Sequence, residues 1–190
     1  MPDGNKRFSQ KNNIPIEEAY RQGGGTLKLF SEFFVGERRT HQFIYHAMSY
    51  YTHKRTDSSL ESIYKVITEI FDKLLKERFF LEKGILFRVI DHSGKLPLEL
   101  KQIIKKLSDS TTNAKNGEVV VLLGYSLEED INQALSYNPK NYNALQKNLL
   151  FHDIQLVIRP TEMRPSGGPI YAMAQSQMII LNKFRQSHYK

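Results

Sequence analysis

The chain has no cysteine and no tryptophan among its 190 residues. The first absence excludes disulfides, thiolate metal sites and cysteine nucleophiles, and it fits a reducing compartment. No apolar run approaches the roughly 20 residues that a membrane-spanning helix needs. The opening MPDGNKRFSQKNN is polar and lacks the apolar centre of a signal peptide. Motifs are missing too: there is no His-Glu-x-x-His, no Walker A sequence, no Gly-x-Gly-x-x-Gly and no nucleophile elbow around a serine. The run Gly23-Gly24-Gly25 is none of these. A soluble, cytoplasmic protein without stable membrane insertion is expected, and a dinucleotide role is disfavoured.

What is present describes a globular protein, with 40% hydrophobic and 25% charged residues. A single domain over 1–190 is long enough to bury a sizeable core. The net charge of +7 favours anionic partners. Phosphorylated small molecules, nucleic acid and anionic membrane surfaces all satisfy it.

Periodicity alternates between helical and extended segments. Residues 17–35 read as an amphipathic helix weakened by its three glycines, and 42–47 as a strand. Asp57 or Ser58 caps a long helix over about 59–80, with Leu60, Ile63, Ile67, Ile70, Phe71 and Leu74 at helical spacing. Residues 85–90 form a strand, and Pro97 opens a helix to about Ser108. The run EVVVLLG, 118–124, is continuously apolar, as in buried parallel sheets. Ser126 and Glu129 make a capping box. A turn and short helix over 138–150 lead to strands at 154–159 and 177–181. This rhythm predicts the α/β class, a single parallel-sheet domain flanked by helices. Ligands of such sheets bind beyond the carboxyl ends of the strands.

Three loops carry candidate chemistry. The first is RPTEMRPSGG, 159–168, which follows an apolar strand with two arginines among prolines and glycines. Guanidinium forks suit phosphate oxygens, and a Gly-rich turn can aim backbone N–H groups at the same anion. The alternative is that Arg159 and Arg164 pair with Glu162 or Asp153 and only fix the loop. The second, PDGNKRF at 2–8, is a turn signal, and also a place where Asp3 can bind a Mg²⁺ that bridges to a diphosphate. The third, SYYTHKR at 49–55, ends a strand with hydroxyls, an imidazole and cations, and reads equally as a solvated loop. His46, on the strand before it, reads as a core or rim histidine.

Together these loops resemble the cis-prenyltransferase family, of the undecaprenyl diphosphate synthase type. PDGNKRF resembles its Asp-Gly-Asn-x-Arg-aromatic signature, and LVIRPTEMRPSGG resembles its Leu-Val-Ile-Arg…Glu-x-Arg-x-Ser signature. AMSYYTHKR falls where the family carries Ala-Phe-Ser-x-Glu-Asn-Trp-x-Arg. Order and spacing agree over nearly the whole chain. Short matches, including His53 at the family tryptophan and LLGYSL, resemble the branch that joins two dimethylallyl units head to middle, the lavandulyl and cyclolavandulyl diphosphate synthases.

The resemblance implies an undecaprenyl diphosphate synthase-like fold and a prenyltransferase. Such an enzyme joins an allylic diphosphate to isopentenyl or dimethylallyl diphosphate with Mg²⁺ and releases pyrophosphate. Short-chain or irregular coupling is expected. By position, Asp3 is the catalytic carboxylate and metal ligand. Gly4, Asn5, Lys6, Arg7 and Phe8 line the allylic diphosphate. Ser49, His53 and Arg55 lie at the substrate interface, and Thr52 takes the catalytic asparagine position. Arg159, Arg164 and Ser166 hold the second diphosphate, and Gln177 falls on the second metal-binding glutamate. The implied partners are prenyl diphosphates and a second copy of the chain, as a homodimer, with no nucleic acid.

Several positions depart from the family. Gln177 adds no negative charge. Tyr51 replaces a glutamate, and Ile16 and Tyr20 stand where the family has arginine and histidine. The family's first strand, before Asp3, and its C-terminal arm, after Gln177, are expected to be lacking. Two alternatives stay open: a weak or inactive prenyl-diphosphate-binding homologue that serves as a partner subunit, and a basic α/β module that binds nucleotides or RNA.

Overall fold

The computed structural model describes residues 5–54, 59–159 and 167–180. Its centre is β3 (Glu118–Tyr125), flanked in parallel by β1 (Gln42–Ser49) and β2 (Leu86–Ile90). Gln42 and Leu86 both align with Glu118, so the three strands start level. Arg88 of β2 makes an ion pair with Glu118 of β3.

The apolar run of β3 is continuous because both faces are covered. Val119, Val121 and Leu123 face a core built by α2 (Ile16–Ser31), α3 (Ser59–Lys76) and α5 (Leu98–Ser110), through residues such as Leu27, Phe71 and Leu100. Val120, Leu122 and Tyr125 face Phe151 and Ala172, the latter from α8 (Ile170–Met173). Strict alternation would put Tyr125 on the same face as Leu123. Gly124, at φ 155°, breaks the alternation and turns Tyr125 to the other face. Each such aliphatic side chain contributes about 1.5–3 kcal/mol when fully buried.

The glycines of α2 have a packing role. A Cβ built on Gly24 would lie 2.1 Å from Ile70 Cδ1, so the missing side chain lets α3 press against α2. Nearby, the Tyr45 hydroxyl and Thr26 Oγ1 both donate to the Gly23 carbonyl, at 3.0 and 2.6 Å, which ties β1 to the same stretch of α2.

Helix boundaries differ from the periodicity in two places. α2 ends at Ser31 and continues as a π-helical turn, Glu32–Glu37. α3 stops at Lys76, because Arg78 takes a left-handed conformation (φ 50°) and α4 (Phe79–Lys83) starts on a new axis. The break drives Phe79 and Phe80 into the core. The predicted cap of α6 (Leu127–Ser136) is in place, Ser126 accepting from Glu129 N at 3.3 Å. α7 (Tyr142–Asn148) is capped by Asn141, which accepts from Ala144 N at 2.9 Å. Asp57 and Ser58 lie outside the described residues.

The remaining strands, β4 (Leu156–Arg159) and β5 (Gln177–Ile180), are parallel, as expected. They form their own two-stranded sheet instead of extending the central one. Their anchors are local: Ile154 N donates to Ala172 O and Gln177 N to Gln155 O, both at 2.9 Å. No helix among the described residues is long and apolar enough to cross a membrane.

Candidate functional site

The carboxyl ends of β1, β2 and β3 gather a cluster of hydroxyl, imidazole and carboxylate side chains. β1 ends at Ser49 and passes into a tight 3₁₀ turn, Tyr50–Lys54. Within it Ser49 Oγ lies 3.2 Å from Thr52 Oγ1, so the two hydroxyls share one side of the turn. Lys54 sits over the rings of Tyr50 and Tyr51, at 5.4 and 5.2 Å from their centroids.

The loop that follows β4 returns to this point. A Cβ built on Gly167, at φ 73°, would lie 3.9 Å from Ser49 Cβ. Two of the three loops singled out in the sequence therefore meet at the carboxyl edge of β1. Arg159 is the last residue of β4, on the approach to that loop.

His53 sits beneath the turn and is 4% exposed. Its Nε2 lies 2.7 Å from the Leu123 carbonyl oxygen, which can only accept, so Nε2 carries a proton. Its Nδ1 lies 2.6 Å from the Tyr64 hydroxyl of α3. In the neutral ring Nδ1 accepts and Tyr64 donates. Burial, followed by the nearby Asp91 carboxylate, raises the Tyr64 phenol above its ordinary value and keeps it protonated.

β2 ends in Asp91-His92-Ser93, which the sequence reading passed over. Asp91 Oδ1 accepts from the Ser93 N–H at 2.8 Å and from its hydroxyl. The Ser126 N–H donates to His92 Nδ1 at 3.0 Å. Beyond β3, the Tyr125 hydroxyl donates to the buried Asp130 at 2.6 Å, and Leu150 N donates to the other carboxylate oxygen at 3.0 Å. Burial first, then that hydrogen bond, raises the Tyr125 phenol strongly. One signal for this cluster was available: a polar Asp-His-Ser directly after the 85–90 strand, at the edge where such sheets bind ligands.

The first loop differs from its expectation. Asn5 opens α1 (Asn5–Asn12). Asn5, Lys6, Arg7 and Phe8 are thus helical rather than part of a loop. Lys, Arg and Gln are good helix formers, and Ser9 Oγ closes the far end by donating to Ile14 O at 2.6 Å. α1 packs against α2, with Asn5 buried and Lys6 and Arg7 exposed. Asp3, Gly4, Arg55, Arg164 and Ser166 lie outside the described residues.

Gln177 is not at the same end of its sheet as Arg159. The register pairs Gln177 with Leu156 and Arg159 with Ile180, so the two are three residues apart along the strands. That is about 10 Å at the usual rise. Among the described residues no group of three or more His, Asp or Glu could hold a metal ion.

The family model for putative undecaprenyl diphosphate synthase matches residues 1–185. A tritrans,polycis-undecaprenyl-diphosphate synthase (geranylgeranyl-diphosphate specific) of Sulfurisphaera tokodaii is 24% identical, covering 97% of this chain and 76% of that protein. The human dehydrodolichyl diphosphate synthase complex subunit is 25% identical over 71% of this chain and 40% of its own length. Among solved structures, lavandulyl diphosphate synthase from Lavandula x intermedia, in complex with dimethylallyl diphosphate, has the same fold. It superposes with a TM-score of 0.84 at 16% identity, over 100% of this chain and 87% of that one. A probable undecaprenyl diphosphate synthase from Campylobacter jejuni gives 0.75 at 17% identity, over 87% and 82%. The chain belongs to the undecaprenyl diphosphate synthase family, the cis-prenyltransferases, and is an enzyme of that class.

Proposed function

We propose that the protein joins two small prenyl diphosphates, an allylic diphosphate such as dimethylallyl diphosphate and either isopentenyl diphosphate or a second dimethylallyl unit. The allylic carbon–oxygen bond breaks and pyrophosphate leaves. A new carbon–carbon bond forms to the alkene, which then loses a proton. The observation that carries this reading is the approach of Gly167 to Ser49, which joins the Arg159–Gly168 loop to the Ser49–Lys54 turn at one sheet edge. In this reading Arg159, Arg164 and Ser166 grip one diphosphate, with Ser49, Thr52 and Arg55 beside it. Asn5, Lys6, Arg7 and Phe8 flank the other, behind Asp3 and Gly4. His53 supports the Ser49–Lys54 turn from below.

Asp3 would hold Mg²⁺ in this reading, and the bound ion would neutralise phosphate charge. The described residues offer it no carboxylate cluster, and Gln177 stands at the far end of β5's pairing with β4. That position favours a second reading, in which the chain binds prenyl diphosphates but turns over slowly unless a partner completes the site.

Two further features belong to the proposal. A cytoplasmic location fits a water-soluble diphosphate substrate. A homodimer is supported by Leu156, Ile158, Met178 and Ile179 of the β4–β5 pair, all of which are exposed by 40% or more.

The test is incubation with Mg²⁺ and dimethylallyl diphosphate, with and without isopentenyl diphosphate, followed by mass spectrometry and pyrophosphate release. Product from dimethylallyl diphosphate alone means irregular coupling. Product only with isopentenyl diphosphate means short elongation. Pyrophosphate release with neither, and with longer allylic starters also inert, would favour the second reading.

A further inference from the structure

His53 occupies an unusual seat. Gly124 has no side chain at the point where a Cβ would lie 2.8 Å from His53 Nε2, 2.5 Å from Asp91 Oδ1 and 3.3 Å from Ser93 Oγ. A Cβ there would force the His53 ring and the Asp91 carboxylate to shift, and the φ of 155° disfavours one as well. The imidazole is thus set into a gap beside Gly124, near the end of β3. Its two nitrogens are used in full, Nε2 on the Leu123 carbonyl and Nδ1 on the Tyr64 hydroxyl. The ring also lies 5.8 Å from the Tyr64 ring, centroid to centroid.

We propose that His53 is the positioning residue of the Ser49–Lys54 turn: seated on Gly124 and held in one tautomer by Tyr64, it fixes where the Ser49 and Thr52 hydroxyls stand. Three elements are thereby locked to each other: the turn after β1, the end of β3 and helix α3. Of the turn's side chains, only that of His53 is fully buried. Tyr51 is exposed and bonded outward to Glu128 at 3.1 Å, and Lys54 is exposed over the two tyrosine rings. A ring whose every polar atom is engaged by protein acts on a ligand only through the turn it carries. The functional half of this inference rests on the diphosphate reading above.

The distinguishing variants are His53→Gln and His53→Leu. A glutamine can repeat both contacts, its amide nitrogen donating to Leu123 O and its amide oxygen accepting from Tyr64. Leucine fills the space and makes neither. The measurements are backbone hydrogen exchange over residues 49–54 and calorimetric binding of dimethylallyl diphosphate with Mg²⁺. His53→Leu is expected to speed exchange in the turn about tenfold and to weaken binding by a similar factor, as loss of two buried hydrogen bonds implies. His53→Gln should stay within about threefold of the parent in both. Gly124→Ala should behave like His53→Leu, because the added methyl evicts the ring. Tyr64→Phe, which removes only the phenol oxygen, should speed exchange about threefold, and it carries the test should the leucine variant fail to fold.

Unchanged exchange in His53→Leu, or in Tyr64→Phe if that variant has to serve, overturns the inference. So does a His53→Gln variant as impaired as His53→Leu, since the imidazole itself would then be what matters. If the parent protein does not bind dimethylallyl diphosphate, the proposed function fails by itself, and the exchange rates still decide the role of His53.

Discussion

The two sheets of this protein handle the same strand geometry in opposite ways. In the central sheet every side chain of β3 from Val119 to Leu123 is at most 1% exposed, and its polar end is closed by paired groups. His53 meets Tyr64, Asp91 meets Ser93, and Tyr125 meets Asp130. In the β4–β5 pair, Leu156, Ile158, Met178 and Ile179 are 40–47% exposed. The lesson is one of division of labour. The central sheet is covered on both faces within one chain and contacts the turn after Ser49 through His53. The small sheet ends in Arg159 and exposes apolar side chains on its strands.

The largest break in that comparison comes from the core. Phe87, fully buried and packed against Phe71 and Phe80, should cost about 4 kcal/mol when changed to alanine, read by denaturant unfolding. Ile179→Ser, at an exposed position, should change monomer stability by less than about 0.5 kcal/mol, and in the proposed homodimer it should shift the protein to monomers in light scattering. An equal loss of stability from both would erase the distinction.

Asp130→Ala comes next. It strands the buried Tyr125 hydroxyl and the half-buried Leu150 N–H, and should destabilise by about 3 kcal/mol. Asp130→Asn should recover part of this, since the amide oxygen still accepts one bond.

Smaller still is the α2–α3 contact. Gly24→Leu should cost about 1–3 kcal/mol through overpacking against Ile70, and Ile70→Ala in the same chain should relieve much of that. Additive losses in the double variant would mean the two sites are not in contact.

A pH dependence sharpens the central side of the comparison. The phenols of Tyr125 and Tyr64 are both raised in the folded state, chiefly by burial. The folded chain therefore keeps protons that the unfolded chain starts to release near pH 10. Their stabilising contribution is full below that pH and is lost progressively as pH rises through and above it. Unfolding free energy at pH 8 and pH 10.5 measures it, and Tyr125→Phe should flatten the decline.

Much of this architecture was legible in the chain. The EVVVLLG run declared a strand covered on both faces, and Ser126 with Glu129 declared a helix start. Both follow from local pattern. What was not legible depended on distance in space. The break at Arg78 looks like uninterrupted helix because Phe79 and Phe80 still fall at apolar positions. The start of α1 was hidden by the turn signal ahead of it. The division into two sheets could not be read from strands whose sequences look alike. At the site, Ser49 and the glycines of the 159–168 loop were marked by residue type alone. His53 was marked too, but as a substrate-interface residue, because nothing in SYYTHKR announces Gly124 and Tyr64 around it. Asp91 was missed because its partner, Ser93, makes it look like an ordinary turn.

The most direct test of the account is the affinity of dimethylallyl diphosphate, with Mg²⁺, for the parent protein, Arg159→Ala and Ser49→Ala. If the two loops meet to hold a diphosphate, losing the Arg159 fork should weaken binding by tenfold or more, and losing the Ser49 hydroxyl by about fivefold, with no change in thermal unfolding beyond a few degrees. Equal affinity in all three proteins would contradict it.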